Sequence, residues 1–176
     1  GETAALVSPH GCGKSTLAKL LCGLPTPQRG HIHGAEDRAL ETQVAYIFQN
    51  PDYQIFLPTV EEELAYGLRE QGIERREIGR RVAEASEKFR LPALNVPPTL
   101  MTYRARKRLQ AAVYYLLDRQ VYIIDEADAG ISLSDFAQMI AALRREDRAI
   151  LIITHNHRIG NLYADRSILM EEGRMV

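Results

Sequence analysis

The segment Ser8-Pro9-His10-Gly11-Cys12-Gly13-Lys14-Ser15-Thr16 constrains this chain more than any other. It follows a short apolar run, Ala4 to Val7, and opens a helical pattern that begins at Leu17. A strand, a glycine-rich loop and a helix N-terminus in that order make an anion cradle. The glycines let backbone N–H groups converge on a phosphate, and the helix dipole adds positive potential. Lys14 is spaced to reach the β- and γ-phosphates, and Ser15 to offer its hydroxyl to Mg²⁺. The expected nucleotide contacts are therefore Ser8, His10, Gly11, Cys12, Gly13, Lys14, Ser15 and Thr16. Ser8 stands where the G-x-x-x-x-G-K-[ST] pattern starts with glycine. The segment predicts a nucleoside triphosphate binder.

Composition narrows the rest. A chain of 176 residues suits one core, and a net charge of −1 argues against a general nucleic-acid or membrane-surface binder. No apolar run approaches the roughly 18 residues needed to cross a bilayer. Cys12 and Cys22 have no partner spacing for zinc or a disulfide framework, and read as reduced packing residues of a cytosolic protein. The chain begins at Gly1, almost directly before the loop, and is expected to be a trimmed piece of a longer polypeptide.

Alternating elements run through the remainder. Gln43 to Phe48 is β-branched and aromatic, a buried strand. Thr59-Val60-Glu61-Glu62 offers a capping box, with Leu64 and Leu68 on one face of the helix that follows. Ile78, Val82, Ala85 and Phe89 repeat at helical spacing, and Arg75, Arg76, Arg80 and Arg81 form a solvated face. A further helix is expected from Arg106 to Asp118, and another from Ser134 to Leu143. Val121 to Ile124 and Ala149 to Ile153 are continuous apolar runs, as central strands of a parallel sheet require, and Arg166 to Met170 is a further strand. The predicted architecture is α/β, a phosphate-loop core with a mostly parallel sheet. The core is expected over 1–50 and 109–176, with a helical subdomain inserted over 51–108.

Two strand ends bear chemistry. The run Val121 to Ile124 ends in Asp125 and Glu126, carboxylates that would face the ligand crevice of an open α/β sheet. Asp125 suits Mg²⁺, and Glu126 suits the general base that polarises an attacking water. The next apolar run ends in Ile153-Thr154-His155, where a histidine can reach a γ-phosphate. Asp125-Glu126-Ala127-Asp128 also spells the DEAD motif of RNA helicases, but the arginine motif of those enzymes belongs to a second domain. The echo here, His157-Arg158-Ile159-Gly160, follows too soon.

With these motifs in order, the chain resembles the nucleotide-binding domains of ATP-binding cassette (ABC) proteins, which fold around a RecA-like core. Phe48-Gln49-Asn50-Pro51 looks like their glutamine loop, and the resemblance implies that Gln49 touches Mg²⁺ and the attacking water. The wider segment from Phe48 to Phe56, followed by Pro58-Thr59-Val60-Glu61-Glu62-Glu63, is similar to the ATPases of energy-coupling factor importers. The resemblance implies ATP and Mg²⁺ as ligands, Lys14, Gln49, Glu126 and His155 as catalytic residues, and Ser15, Gln49 and Asp125 around the metal. It also implies a groove near Asp52 to Phe56 for a transmembrane subunit, placing the protein on the cytoplasmic face of a membrane. The family's adenine-stacking strands lie upstream of Gly1.

Two departures qualify the resemblance. The L-S-G-G-Q signature falls on Met101-Thr102-Tyr103-Arg104-Ala105, which has neither glycine. Thr102 keeps a hydroxyl, and Arg104 offers a guanidinium to phosphate. The aspartate expected in the segment after Glu126 is Ser132. An intact phosphate-loop half-site with a degenerate signature implies an asymmetric heterodimer with a second ABC ATPase. The alternatives are a regulatory subunit that does not hydrolyse ATP, or a soluble ABC ATPase without a membrane partner.

Overall fold

Each long apolar run becomes a strand. The structure, a computed structural model, describes residues 1–9, 11–34, 38–126 and 129–176. His10, Ala127 and Asp128 therefore lie outside the described residues. Backbone contacts divide the chain into two units, Gly1–Gln49 with Arg119–Asp128 and Arg144–Val176, and Asn50–Asp118 with Ala129–Leu143.

The first unit holds the sheet. Its strands are β1 (Thr3–Val7), β2 (Val44–Ile47), β3 (Val121–Asp125), β4 (Ala149–Thr154), β5 (Arg166–Glu171) and β6 (Arg174–Met175), in the order β2-β3-β4-β1-β5-β6. All pairings are parallel except β5 with β6. Helices α1 (Lys14–Leu21), α2 (Leu40–Gln43) and α7 (His157–Tyr163) belong to the same unit. Leu6, Ala18, Cys22, Tyr46, Ile123, Ile153 and Met170 form one buried cluster that fixes α1 against the strands. The expected strands are all present. Short α2, α7 and β6 have no periodic signature of their own and were not anticipated from sequence.

The second unit is helical. It contains α3 (Val60–Glu70), α4 (Arg75–Lys88), α5 (Tyr103–Leu117) and α6 (Leu133–Leu143). Leu64, Leu68, Ile78, Val82, Ala85 and Phe89 are all buried, as their spacing predicts. On the opposite face of α4, Arg80 pairs with Glu77 and Glu84, and Arg81 with Glu77, so the arginines are the solvated face expected. The subdomain boundary expected between 108 and 109 falls inside α5, and α6 groups with the helices rather than with the sheet. A continuous hydrogen-bonded helix moves as one rod, and α5 packs against α3, α4 and α6. The helix also starts three residues before the expected Arg106, because Thr102 caps it: its Oγ1 accepts from the Ala105 N–H at 3.3 Å.

Candidate nucleotide site

The sheet register brings the chemical residues of the first unit to one edge. Val7 pairs with Thr154 and Asp125 with Ile153, so the carboxyl ends of β1, β3 and β4 lie side by side. The phosphate loop leaves β1 there, Asp125 and Glu126 close β3, and His155 follows β4. This is the edge at which open α/β sheets receive ligands.

In the loop, Gly11 (φ 83°) and Gly13 (φ 98°) hold left-handed conformations, and Gly13 caps α1. A side chain at Gly13 would be strained at that φ, so the turn into α1 requires glycine. Lys14 is the first residue of α1 and is 5% exposed. Its Nζ donates to the carbonyl oxygens of Ser8 and Pro9, both at 2.7 Å. The ammonium is thus held over the loop and backed by dipoles, rather than left as a buried uncompensated charge. Ser15 and Thr16 are exposed at the helix start. Ser8, the residue in place of glycine, is buried, and its Oγ lies 3.1 Å from Cys12 Sγ. That contact, with help from Lys14, lowers the Cys12 thiol below its ordinary value, whereas burial pushes Cys22 up to about 12.

Asp125 is 7% exposed. Tyr46 Oη donates to its Oδ2, and burial together with that bond raises the phenol above its usual range, keeping it a donor. Among the described residues, Asp125 Oδ1 is buried with no hydrogen-bond partner. A buried carboxylate oxygen without a donor is a costly arrangement unless a cation or its water completes it. Mg²⁺ fits this donor set, since it takes hard oxygen ligands through one or two protein groups and retains waters. Ser15 and Asp125 would hold it, and it would neutralise charge on the phosphates. No cluster of three or more histidine, cysteine or carboxylate groups offers another cation cage among the described residues.

Glu126 sits at φ 45°, with its N–H donating to the Ile153 carbonyl at 2.9 Å. Its Oε1 lies 3.5 Å from His155 Nδ1, so the two residues expected to act on the attacking water and the γ-phosphate are neighbours. The Glu126 side chain is largely sheltered and that of His155 about half exposed. Gln49 is exposed just past the end of β2. His157 is exposed as the first residue of α7.

The signature segment lies in the second unit. Met101 is buried, Thr102 caps α5, and Ala105 is buried within it. Arg104 Nε pairs with Asp135, which also accepts from Ser132 Oγ at 2.6 Å. The guanidinium offered to phosphate in the sequence is therefore engaged by a carboxylate. Burial opposes ionisation of Asp135, yet the Arg104 and Ser132 hydrogen bonds outweigh it and hold the carboxyl below the usual range. Tyr103 lies across Gly130, where a β-carbon would stand 2.8 Å from the ring. Ser132, in place of the expected aspartate, caps α6 by accepting from the Asp135 N–H at 3.2 Å.

The family described as ABC transporter matches residues 1–129. The chain belongs to the ABC transporter family. A putative ABC transporter ATP-binding protein of Pyrococcus horikoshii is 32% identical over 184 residues, which are 98% of this chain and 71% of that protein. The energy-coupling factor transporter ATP-binding protein EcfA of Methanocaldococcus jannaschii is 31% identical over 189 residues, covering 100% of this chain and 68% of that one. This ABC chain spans 30% of a Methanosarcina acetivorans relative to which it is 33% identical. The solved structure of cbiO1 from Clostridium perfringens, part of the ABC transporter complex cbiONQ, matches with a TM-score of 0.85 at 26% identity, over 99% of this chain and 75% of that chain. The fold is that of an ABC ATPase, and the energy-coupling factor resemblance read from Phe48 to Glu63 agrees with these relatives.

Sequence reasoning passed over two features of this ABC domain. Tyr46 reads as one more apolar strand residue, although a buried phenol needs a polar partner. Asp135 reads as an ordinary early-helix carboxylate, and nothing in sequence links it to Arg104.

Proposed function

We propose that this domain binds MgATP and hydrolyses it as one half of an asymmetric ATPase pair that energises a membrane importer. The observation that supports this most is the shared edge where Lys14, Asp125, Glu126 and His155 converge, set against a signature segment whose Tyr103 and Arg104 are tied to neighbours of their own unit. Lys14 and the loop N–H groups bind phosphates. Ser15 and Asp125 hold Mg²⁺, with Gln49 beside it. Glu126 takes the proton of the attacking water, and His155, in contact with Glu126, orients it toward the γ-phosphate. A second ATPase supplies an intact signature across the dimer.

A transmembrane subunit docks near Asp52 to Phe56. Tyr53 and Phe56 are 77% and 70% exposed, which suits an apolar partner surface. Asp52, Phe56 and Leu57 line a pocket with Pro98, Thr99 and Arg106, and the Glu63 carboxylate accepts the N–H groups of Phe56 and Leu57 from beneath. Among the described residues no helix is long and apolar enough to cross a membrane. The likeness to the energy-coupling factor transporter ATP-binding protein of Methanocaldococcus jannaschii supports this reading.

The test is MgATP hydrolysis by the full-length protein, alone and mixed with a candidate partner ATPase, with Glu126→Gln as control. Turnover in the mixture alone, reduced by about 10²-fold or more in the variant, supports the proposal. Ordinary turnover by the protein alone overturns the asymmetric pairing, and turnover indifferent to Glu126→Gln makes this a regulatory subunit.

A further inference from the structure

We propose that Tyr46 is a positioning residue for the metal side of the ATPase site. The inference rests on the reading of Asp125 as the carboxylate that faces Mg²⁺. Strands β2 and β3 are parallel, with Tyr46 opposite Ile123. Side chains two apart on a strand share a face, so Tyr46 stands on the same face as Asp125, one row short of it. A phenol is long enough to span that row, and its Oη donates to Asp125 Oδ2. The ring has little freedom. Tyr46 is 6% exposed, packs in the cluster with Ile123, Ile153 and Met170, and meets Phe48 edge-on at 4.5 Å between centroids.

The consequence lies in the other oxygen. An unrestrained carboxylate rotates about its terminal torsion and presents either oxygen to a ligand. With Oδ2 occupied by the phenol, Oδ1 remains, buried and without a hydrogen-bond partner among the described residues. Tyr46 thereby selects which oxygen meets the metal and fixes its direction before nucleotide arrives. A phenol that merely satisfied its own hydroxyl in a core would have no bearing on metal affinity. This one holds Asp125, at the end of β3, whose second oxygen has no hydrogen-bond partner among the described residues.

The experiment is a Mg²⁺ titration of the full-length protein with a fluorescent N-methylanthraniloyl-ATP as probe, comparing wild type with Tyr46→Phe. Nucleotide affinity in EDTA and the thermal unfolding midpoint are measured in parallel. We expect the half-saturating Mg²⁺ concentration to rise about tenfold, as loss of one oriented second-layer contact to a metal ligand does, while affinity in EDTA stays unchanged. Mn²⁺ bound beside a non-hydrolysable ATP analogue should show an altered electron paramagnetic resonance spectrum in the variant, a readout independent of turnover. Equal Mg²⁺ half-saturation in the two folded proteins overturns the role of Tyr46. Equal loss with and without metal also overturns it, since that is a fold effect. A wild type indifferent to Mg²⁺ sinks the metal reading of Asp125, and this inference with it. Tyr46→Met serves for the same comparison if the phenylalanine variant does not fold.

Discussion

At the scale of single residues, the phosphate loop shows how one substitution retunes its neighbours. Ser8 replaces the first glycine of the motif, and its hydroxyl reaches Cys12 while its carbonyl accepts from Lys14. The Cys12 thiol is lowered from 9.0, first by Ser8 and then by Lys14, so more of it is thiolate at neutral pH than an ordinary cysteine would supply. A maleimide should therefore label Cys12, faster as pH rises and with a midpoint below pH 9.0. Nucleotide should protect it, and Cys22, pushed up to about 12 by burial, should stay unlabelled. Ser8→Gly should slow the labelling roughly threefold or more by removing the hydrogen bond to the thiolate. Peptide mass mapping after timed labelling checks each point. Labelling of Cys22 ahead of Cys12 would refute the assignment.

At the scale of elements, three helix starts are set by hydroxyl caps. Thr59 accepts from the Glu62 N–H at 3.2 Å, the cap legible in the sequence, and its hydroxyl donates to Glu62 Oε2 at 2.9 Å. Thr59→Ala should cost about 1 kcal/mol in a denaturant melt. Thr102 and Ser132 likewise accept the N–H three residues on, at the starts of α5 and α6, but at those positions the sequence suggested signature and interface chemistry. The ion pair of Arg104 with Asp135 then joins the two starts. Asp135 lies below its unfolded value of 3.8, so the stabilisation it contributes is complete above that value. It is lost as pH falls through the lower folded value. Arg104→Met should make stability less dependent on pH below 3.8, while lowering it at neutral pH, since burial then disfavours the charged carboxylate. Circular dichroism melts across that range decide the matter. An unchanged slope would mean that the pair contributes nothing.

At the scale of the whole molecule, the proposed asymmetry makes a gain-of-function prediction. Replacing Tyr103 and Arg104 together by glycine restores the small residues of an ABC signature. The first turn of α5 should lose about 1 kcal/mol or more, from two glycines in place of better helix formers. Turnover by the protein alone should rise, toward the 10²–10³-fold that an oriented donor group contributes to an active site. A folded double variant with no gain would show that the bulky pair is not what limits the site. The placement of Lys14, Asp125, Glu126 and His155 was legible because each stands at a strand end or helix start flagged by local pattern. Tyr46 and Asp135 were not legible, because their meaning lies in partners 79 and 31 positions away.

Sequence alone determined the strand runs, the phosphate loop, the Thr59 cap and the family, because period, glycine placement and motif order are local properties of the chain. Tertiary structure decided the rest: that α5 and α6 group with the helices, that Arg104 is engaged by Asp135, and that Tyr46 commits one oxygen of Asp125. Those outcomes depend on register and on which buried polar groups find each other. Hydrogen-bond geometry across strands and helices settles that pairing, and no spacing along the chain encodes it.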